Sequence, residues 1–378
     1  MTIAVVGAGV FGAWCARQLA RDGHHVILID AYGAASGRAS SADHSRVIRC
    51  GYGTDEIYSR WAHQSLAAWA GFADEVGERL LTITGALFLG DPGHAYVRAT
   101  YDTLTRIGIA ADWLDRRDLA RRFPQVSSQG LDGVVFEPGA GVLRARDAVQ
   151  ALVRHAVRTD GVDFRCVRVS IDESTAAIEV NGSDGSRVEA DAYVLACGPW
   201  LPTLLPHTIG GRIRVTRQEV LYFGVPAGDR QLSSPLLPVW IDFAAGLYGI
   251  PDLDAMGFKV GIDRHGDAID PDSGDRLVST ALVDATRATV AARFPALAGA
   301  PLLDARVCQY ENSSTGDFII DRHPQWSNVW MVGAGSGHGF KHGPAVGRHA
   351  ADLIAGRVAP LARFTLVTKH STAQRVVY

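Results

Sequence analysis

Gly7, Gly9 and Gly12 stand at G-x-G-x-x-G spacing directly after the apolar run 3–6, and Asp30 closes a second apolar run at 26–29. That combination binds a dinucleotide. The first glycine allows a tight turn, the second lets a pyrophosphate approach the backbone, and the third lets a helix pack on its strand. The helix N-terminus meets the phosphates with free N–H groups, and the acid at Asp30 can accept ribose hydroxyls. Arg46 and Arg49 flank Val47 and Ile48. On one helical turn they would point the same way, suited to an anion, although two solvated arginines would share that spacing. Gly198 follows the apolar run 192–197, and a loop from Gly335 to Lys341 follows the run 329–334. Gly198 reads as a close backbone approach to a cofactor, and the Gly-rich loop with the helix after it as a second helix N-terminus pointed at the ligand.

The elements that must hold these residues follow from periodicity. Strand 3–6, helix 13–22 and strand 26–29 form the nucleotide unit, followed by a polar loop at 31–44. Helices are expected at 56–81, 94–109, 115–123, 146–159 and 283–294. Strands are expected at 82–89, 162–169 and 192–197, with a turn at 137–141 between short strands within 134–142 and a hairpin at 178–188. Runs 212–223, 239–250 and 257–262 alternate as in an antiparallel sheet. A strand at 329–334 and a helix to about 355 repeat the nucleotide pattern, and 361–378 reads as a surface tail. The fold class is α/β (α+β): a Rossmann-like dinucleotide-binding domain in three parts, 1–80, 144–211 and 308–378, with an inserted antiparallel-sheet substrate domain in two, 81–143 and 212–307.

A chain of 378 residues with 47% hydrophobic and 20% charged residues has the composition of a globular protein with a large core. A formal net charge of −3 gives no electrostatic case for nucleic acid or an anionic membrane. The apolar start lacks a basic leader, no run is long enough to span a membrane, and no metal-ligating set stands out. Five cysteines without a C-x-x-C pair fit a reduced, cytoplasmic protein, with Cys15, Cys166 and Cys197 read as buried and inert.

Further blocks are Ser45-Arg46-Val47-Ile48-Arg49 with Tyr52-Gly53, Tyr248-Gly249-Ile250-Pro251, Gly257-Phe258-Lys259-Val260-Gly261 and Cys308-Gln309-Tyr310. The run from Asp317 to Pro324 and Ser336-Gly337-His338-Gly339-Phe340-Lys341 complete the set. In these the chain resembles FAD-dependent amine oxidases of the monomeric sarcosine oxidase and N-methyltryptophan oxidase type, within the D-amino-acid oxidase superfamily, over nearly its whole length.

The resemblance implies FAD joined covalently through Cys308, a reaction that needs a thiolate. It implies that Lys259 lies over the flavin and activates O2, and that Arg49 and Lys341 clamp a substrate carboxylate. Arg46 would lie against the flavin, and Tyr248 and Tyr310 would line the substrate pocket. The cofactor set is then Gly7, Gly9, Val10, Phe11, Gly12, Asp30, Ser41, Arg46, Val169, Gly198, Cys308, Gly337, Gly339, Phe340 and Lys341. Two positions depart from the family: Ala42 stands where a histidine precedes the first arginine, with His44 nearby, and Asp263 replaces an active-site histidine. An acid at 263 suits an amine with a further cationic or polar group, unless it points away from the pocket.

The implied reaction is oxidation of a secondary or cyclic amino acid by a monomer, with hydride passing to flavin N5, an imine released and O2 reduced to hydrogen peroxide. A dehydrogenase with a non-O2 acceptor, an NAD-dependent dehydrogenase and a silent amino-acid-binding flavoprotein are the alternatives.

Overall fold

A computed structural model describes residues 1–370. Its first layer is a six-stranded sheet in the order Ile319–Arg322, Val329–Gly333, Ala192–Leu195, Thr2–Val6, His25–Asp30 and Asp163–Cys166, parallel except for the first pair. Alternation decides what covers each face. Ile3, Val5, Val26 and Leu28 pack on the helices Val10–Arg21, Ala145–Arg158 and Gly343–Ile354. Ala4, Val6, Ile27 and Ile29 pack on the other side with Val180 and Val188, which belong to a small sheet of Val169–Ile171, Val180–Gly182 and Arg187–Val188.

An eight-stranded sheet forms the second layer, in the order Leu302–Ser313, Ile213–Phe223, Phe258–Ile262, Leu247–Ile250, Val239–Asp242, Ala86–Leu89, Val134–Glu137 and Asp112–Leu114. All its pairings are antiparallel except Val239–Asp242 with Ala86–Leu89. Its edge strand, Leu302–Ser313, is the longest strand described, at 12 residues, and carries Cys308 and Tyr310. A three-stranded sheet of Ser45–Ile48, Gly141–Arg144 and Leu81–Ile83 bridges the layers.

Several expectations are corrected. Arg46 lies in a strand, not on a helical turn, because Ser45–Ile48 pairs with Gly141–Arg144. Extended backbone sends residues three apart to opposite sides, so Arg46 and Arg49 serve different places. The run 82–89 is two strands in different sheets, broken at Gly85, whose φ is +75°. The runs 162–169 and 239–250 are likewise each divided between two strands. The stretch read as a surface tail is in its first part packed: Phe364 and Lys369 are buried, with 3₁₀ turns at Ala362–Phe364 and Leu366–Thr368. Residues 371–378 lie outside the described residues. Cys166, read as buried, is exposed at the end of its strand.

Candidate cofactor pocket and active site

The turn after Thr2–Val6 is fixed by a hydrogen bond from the Gly7 N–H to the Ile29 carbonyl at 2.7 Å. A Cβ on Gly12 would sit 1.8 Å from the Gly7 oxygen, so only glycine lets the helix Val10–Arg21 begin this close to the turn. That helix has Gly9 as its N-cap, with no side-chain cap. Ser41 Oγ accepts the Val10 N–H at 3.3 Å. The Asp30 carboxylate receives the N–H groups of Ala8 at 2.8 Å and Tyr32 at 2.9 Å. Burial raises its pKa.

These groups open on a cavity of about 460 Å³. Of the cofactor residues read from sequence, Gly7, Gly9, Val10, Phe11, Asp30, Ser41, Arg46, Val169, Gly198, Gly337, Gly339 and Phe340 line it. Gly12 lies behind the turn, and neither Cys308 nor Lys341 reaches the wall; Tyr310 does. A Cβ on Gly337 would meet the Tyr310 ring at 2.6 Å, and one on Gly339 would meet Phe11 at 2.8 Å, so only glycine at each lets those two rings of the cavity wall pack against the loop. Glu311 also faces the cavity: one carboxyl oxygen accepts the Gly335 N–H at 3.2 Å while the other has no partner. Burial pushes its pKa up to about 7. A helix start whose N-cap is a glycine, a glycine-lined wall and an orphaned carboxyl oxygen fit a dinucleotide.

Beside this cavity, one buried carboxylate gathers a cluster of cations. Asp43 accepts Lys259 Nζ, the Arg46 guanidinium at 3.0 Å, the Tyr222 hydroxyl at 2.7 Å and its neighbour's N–H, that of His44, at 2.8 Å. Arg306 lies 3.4 Å away. Burial alone would raise the Asp43 pKa, but Lys259 and Arg46 together outweigh it and hold the carboxyl well below its usual range. Lys259 also donates to the Ser45 carbonyl at 2.6 Å. Its surroundings are therefore those of a buried ion pair. Arg46 reaches onward to the Ser40 carbonyl at 2.7 Å and to Cys308 Sγ at 3.4 Å.

A second cluster forms on the other side of the Ser45–Ile48 strand. Arg49 donates to the Gly51 carbonyl, and its guanidinium carbon lies 4.7 Å from the Tyr52 ring centroid. Glu137, buried at its strand end, accepts the N–H groups of Cys50 at 2.8 Å and Gly51 at 3.1 Å, which fixes that turn. Lys341 Nζ donates to the Tyr52 hydroxyl at 2.8 Å, and Tyr52 meets His342 Nε2, also at 2.8 Å. Asp263 turns toward the pocket: the Tyr310 hydroxyl lies 3.5 Å from its carboxylate, and burial pushes its pKa up to about 6. The Tyr248 ring covers Gly261 on the neighbouring strand. Asp43, Tyr52, Glu137, Glu311 and His342 were given no role in the sequence reading. Tyr52 and His342 lie in or beside quoted motifs, whereas Asp43 needed the fold to bring Lys259 216 residues back to it.

The class defined by this fold and pocket is matched at sequence level. The DAO family, FAD dependent oxidoreductases, matches residues 2–353, and the chain belongs to that family. Among its relatives, monomeric sarcosine oxidase from Bacillus sp. (strain B-0618) is 28% identical over 93% of this chain and 91% of that protein. Peroxisomal sarcosine oxidase of Mus musculus is 30% identical over 91% and 89%. N-methyl-L-tryptophan oxidase of Yersinia pestis is 25% identical over 94% and 95%. L-proline dehydrogenase from P. horikoshii superposes with a TM-score of 0.85 over 99% of both chains at 20% identity, a likeness of fold alone. The family sets aside the NAD-dependent alternative.

Proposed function

We propose that the protein is an FAD-dependent oxidase of a secondary or cyclic amino acid that acts as a monomer. The observation carrying this reading is the pair of buried cations, Arg49 and Lys341, set over Tyr52, with Lys341 following directly on Phe340 in the wall of the cavity. The chemistry that bound FAD supplies is two-electron oxidation of a C–N bond to an imine, with dioxygen taking the electrons as hydrogen peroxide.

The chain's own residues then have separable tasks. Gly7, Gly9 and the start of the Val10–Arg21 helix hold the pyrophosphate, and Asp30 lies within reach of the adenosine ribose. Arg49 and Lys341 fix the substrate carboxylate, which sets the reacting carbon; such positioning is a large part of what protein groups contribute. Tyr248 and Tyr310 wall the pocket, and Asp263 favours a substrate with a further polar or cationic group. Cys308 anchors the cofactor as a thioether, with Arg46 beside its sulfur. Lys259 supplies positive charge where dioxygen gains electrons. Around Asp43 the three cations Lys259, Arg46 and Arg306 meet two carboxylates, Asp43 and the Asp304 that pairs with Arg306, so the cluster keeps a surplus of one positive charge.

A second reading, a dehydrogenase with another electron acceptor, is favoured by one contact: the carboxylate of Asp43 sits directly on Lys259 and offsets part of its charge. Anaerobic mixing of the yellow protein with a panel of N-methyl and cyclic amino acids, followed by readmission of O2, tests both. Bleaching and rapid recovery with peroxide support the oxidase. Recovery only with a dye acceptor supports the dehydrogenase, and flavin that never bleaches removes both.

A further inference from the structure

Lys341 is buried, yet its Nζ has only uncharged partners: the Tyr52 hydroxyl at 2.8 Å and the His338 carbonyl at 3.0 Å. Among the described residues no carboxylate lies within ion-pair distance of it. A second cation shares the spot, since Lys341 Nζ lies 5.2 Å and the Arg49 guanidinium carbon 4.7 Å from the same ring centroid of Tyr52. Two acids face the site from neighbouring strands without reaching Nζ. Glu137 is occupied by the N–H groups of Cys50 and Gly51, and Asp263 lies toward Tyr310. Cys50, His338 and His342 complete the titratable groups around it.

A buried ammonium without a counter-ion, next to a guanidinium, sheds its proton readily. Burial first, then Arg49, hold the Lys341 pKa well below the ordinary lysine range. The hydrogen bonds tolerate either state. With Lys341 charged, it donates to Tyr52, whose hydroxyl donates to His342 Nε2; with Lys341 neutral, the same row runs the other way, from His342 Nε2–H through Tyr52 to the amine. His342 Nδ1 has no partner, so nothing at that nitrogen fixes the tautomer.

We infer that Lys341 takes up the proton of the substrate's ammonium. The inference rests on the reading of Arg49 and Lys341 as the carboxylate clamp. An amino acid arrives as a zwitterion; one N–H bond of its ammonium breaks and one bond to Lys341 Nζ forms. The ligand is then bound as a neutral amine whose carboxylate lies against a charged Lys341. No electrons move, and no proton is exchanged with solvent. The arriving carboxylate supplies the counter-ion that Lys341 lacks, so the same contact that binds the acid prepares the amine, which needs its lone pair free before hydride can leave.

The test uses 2-furoate, a carboxylate with no amine, whose binding to the holoenzyme is read from the perturbed flavin absorbance. With this probe the proton must come from solvent. The dissociation constant of the wild type should therefore rise about tenfold per pH unit across the upper part of a range from about pH 6 to pH 9.5. In Lys341→Arg, where the cation is permanent, furoate should bind with a constant that stays flat within about twofold over the same range. Asp263, Lys259 and the histidines remain in that variant, so a slope persisting there belongs to another group and overturns the inference. A flat wild type whose Arg variant also binds overturns the proton step and leaves the clamp standing. Furoate that binds Lys341→Met as tightly as the wild type, or does not bind the wild type at all, removes the clamp and the inference with it.

Discussion

Lys259, Cys308 and Asp43 make separate demands that substitution can separate. Lys259→Ala should leave flavin reduction by an amino acid near the wild-type rate and slow reoxidation by O2 by orders of magnitude, measured by stopped flow for each half-reaction. An unchanged oxidative rate would remove the role given to the lysine. Cys308→Ser should release its yellow colour into the supernatant on acid precipitation, whereas wild-type colour stays with the pellet; colour freed from both would mean the cofactor is not covalently held. Asp43→Asn strands Lys259 and Arg46 in a buried site, which costs about 3–5 kcal/mol and should lower the melting temperature clearly. A melting temperature within a degree or two of wild type would mean the pair is not buried as described. The sequence made Gly7, Gly9, Gly12 and Asp30 readable because their spacing is local and their chemistry is backbone chemistry. Asp43 was unreadable for the opposite reason: nothing near it in sequence distinguishes it from a polar loop residue, and its meaning comes from Lys259 and Arg306 on distant strands.

Apolar periodicity carried much of the reading of strands and helices, and it failed where strands are short or polar. Leu302–Ser313 went unread because it lies at the sheet edge, with a burial pattern mixed along its length, and alternates Arg, Cys, Gln, Tyr and Glu without a clear apolar face. In Ser45–Ile48 the arginine spacing of three suits a helix as well as a strand, and pairing with Gly141–Arg144 decides for the strand. In the loop after Val329–Gly333 the backbone itself is the device. Gly337 has a φ of +76° and faces the Tyr310 ring. Gly337→Ala adds a strained left-handed residue, at roughly 1–2 kcal/mol, and a clash. The purified variant should carry markedly less flavin per chain than wild type, judged by the ratio of visible to ultraviolet absorbance. Full flavin content would show that the packing of this loop on Tyr310 is not needed to hold the cofactor.

Across the molecule, Asp43 ties the small bridging sheet to three strands of the eight-stranded one through Lys259, Tyr222 and Arg306. Its folded pKa is depressed, so the stability it contributes is present above the unfolded carboxyl value of about 4 and is lost as pH falls below it. The melting temperature should therefore drop steeply below about pH 4, and Asp43→Asn should flatten that limb. Equal steepness in both proteins would assign the acid sensitivity elsewhere. The six-stranded sheet has one further consequence, which belongs to the protein's synthesis. Thr2–Val6 can pair at once with His25–Asp30, but its other edge waits for Ala192–Leu195 and then for Val329–Gly333. At about 5–20 residues per second the first wait lasts roughly 10–40 s. Throughout it, the growing chain presents an open apolar strand edge, the kind of surface that aggregates unless a chaperone masks it. The loop 335–341 leaves the ribosome later still, so the wall of the cavity is complete only after it. Shielding that edge during synthesis should therefore raise the yield of folded protein.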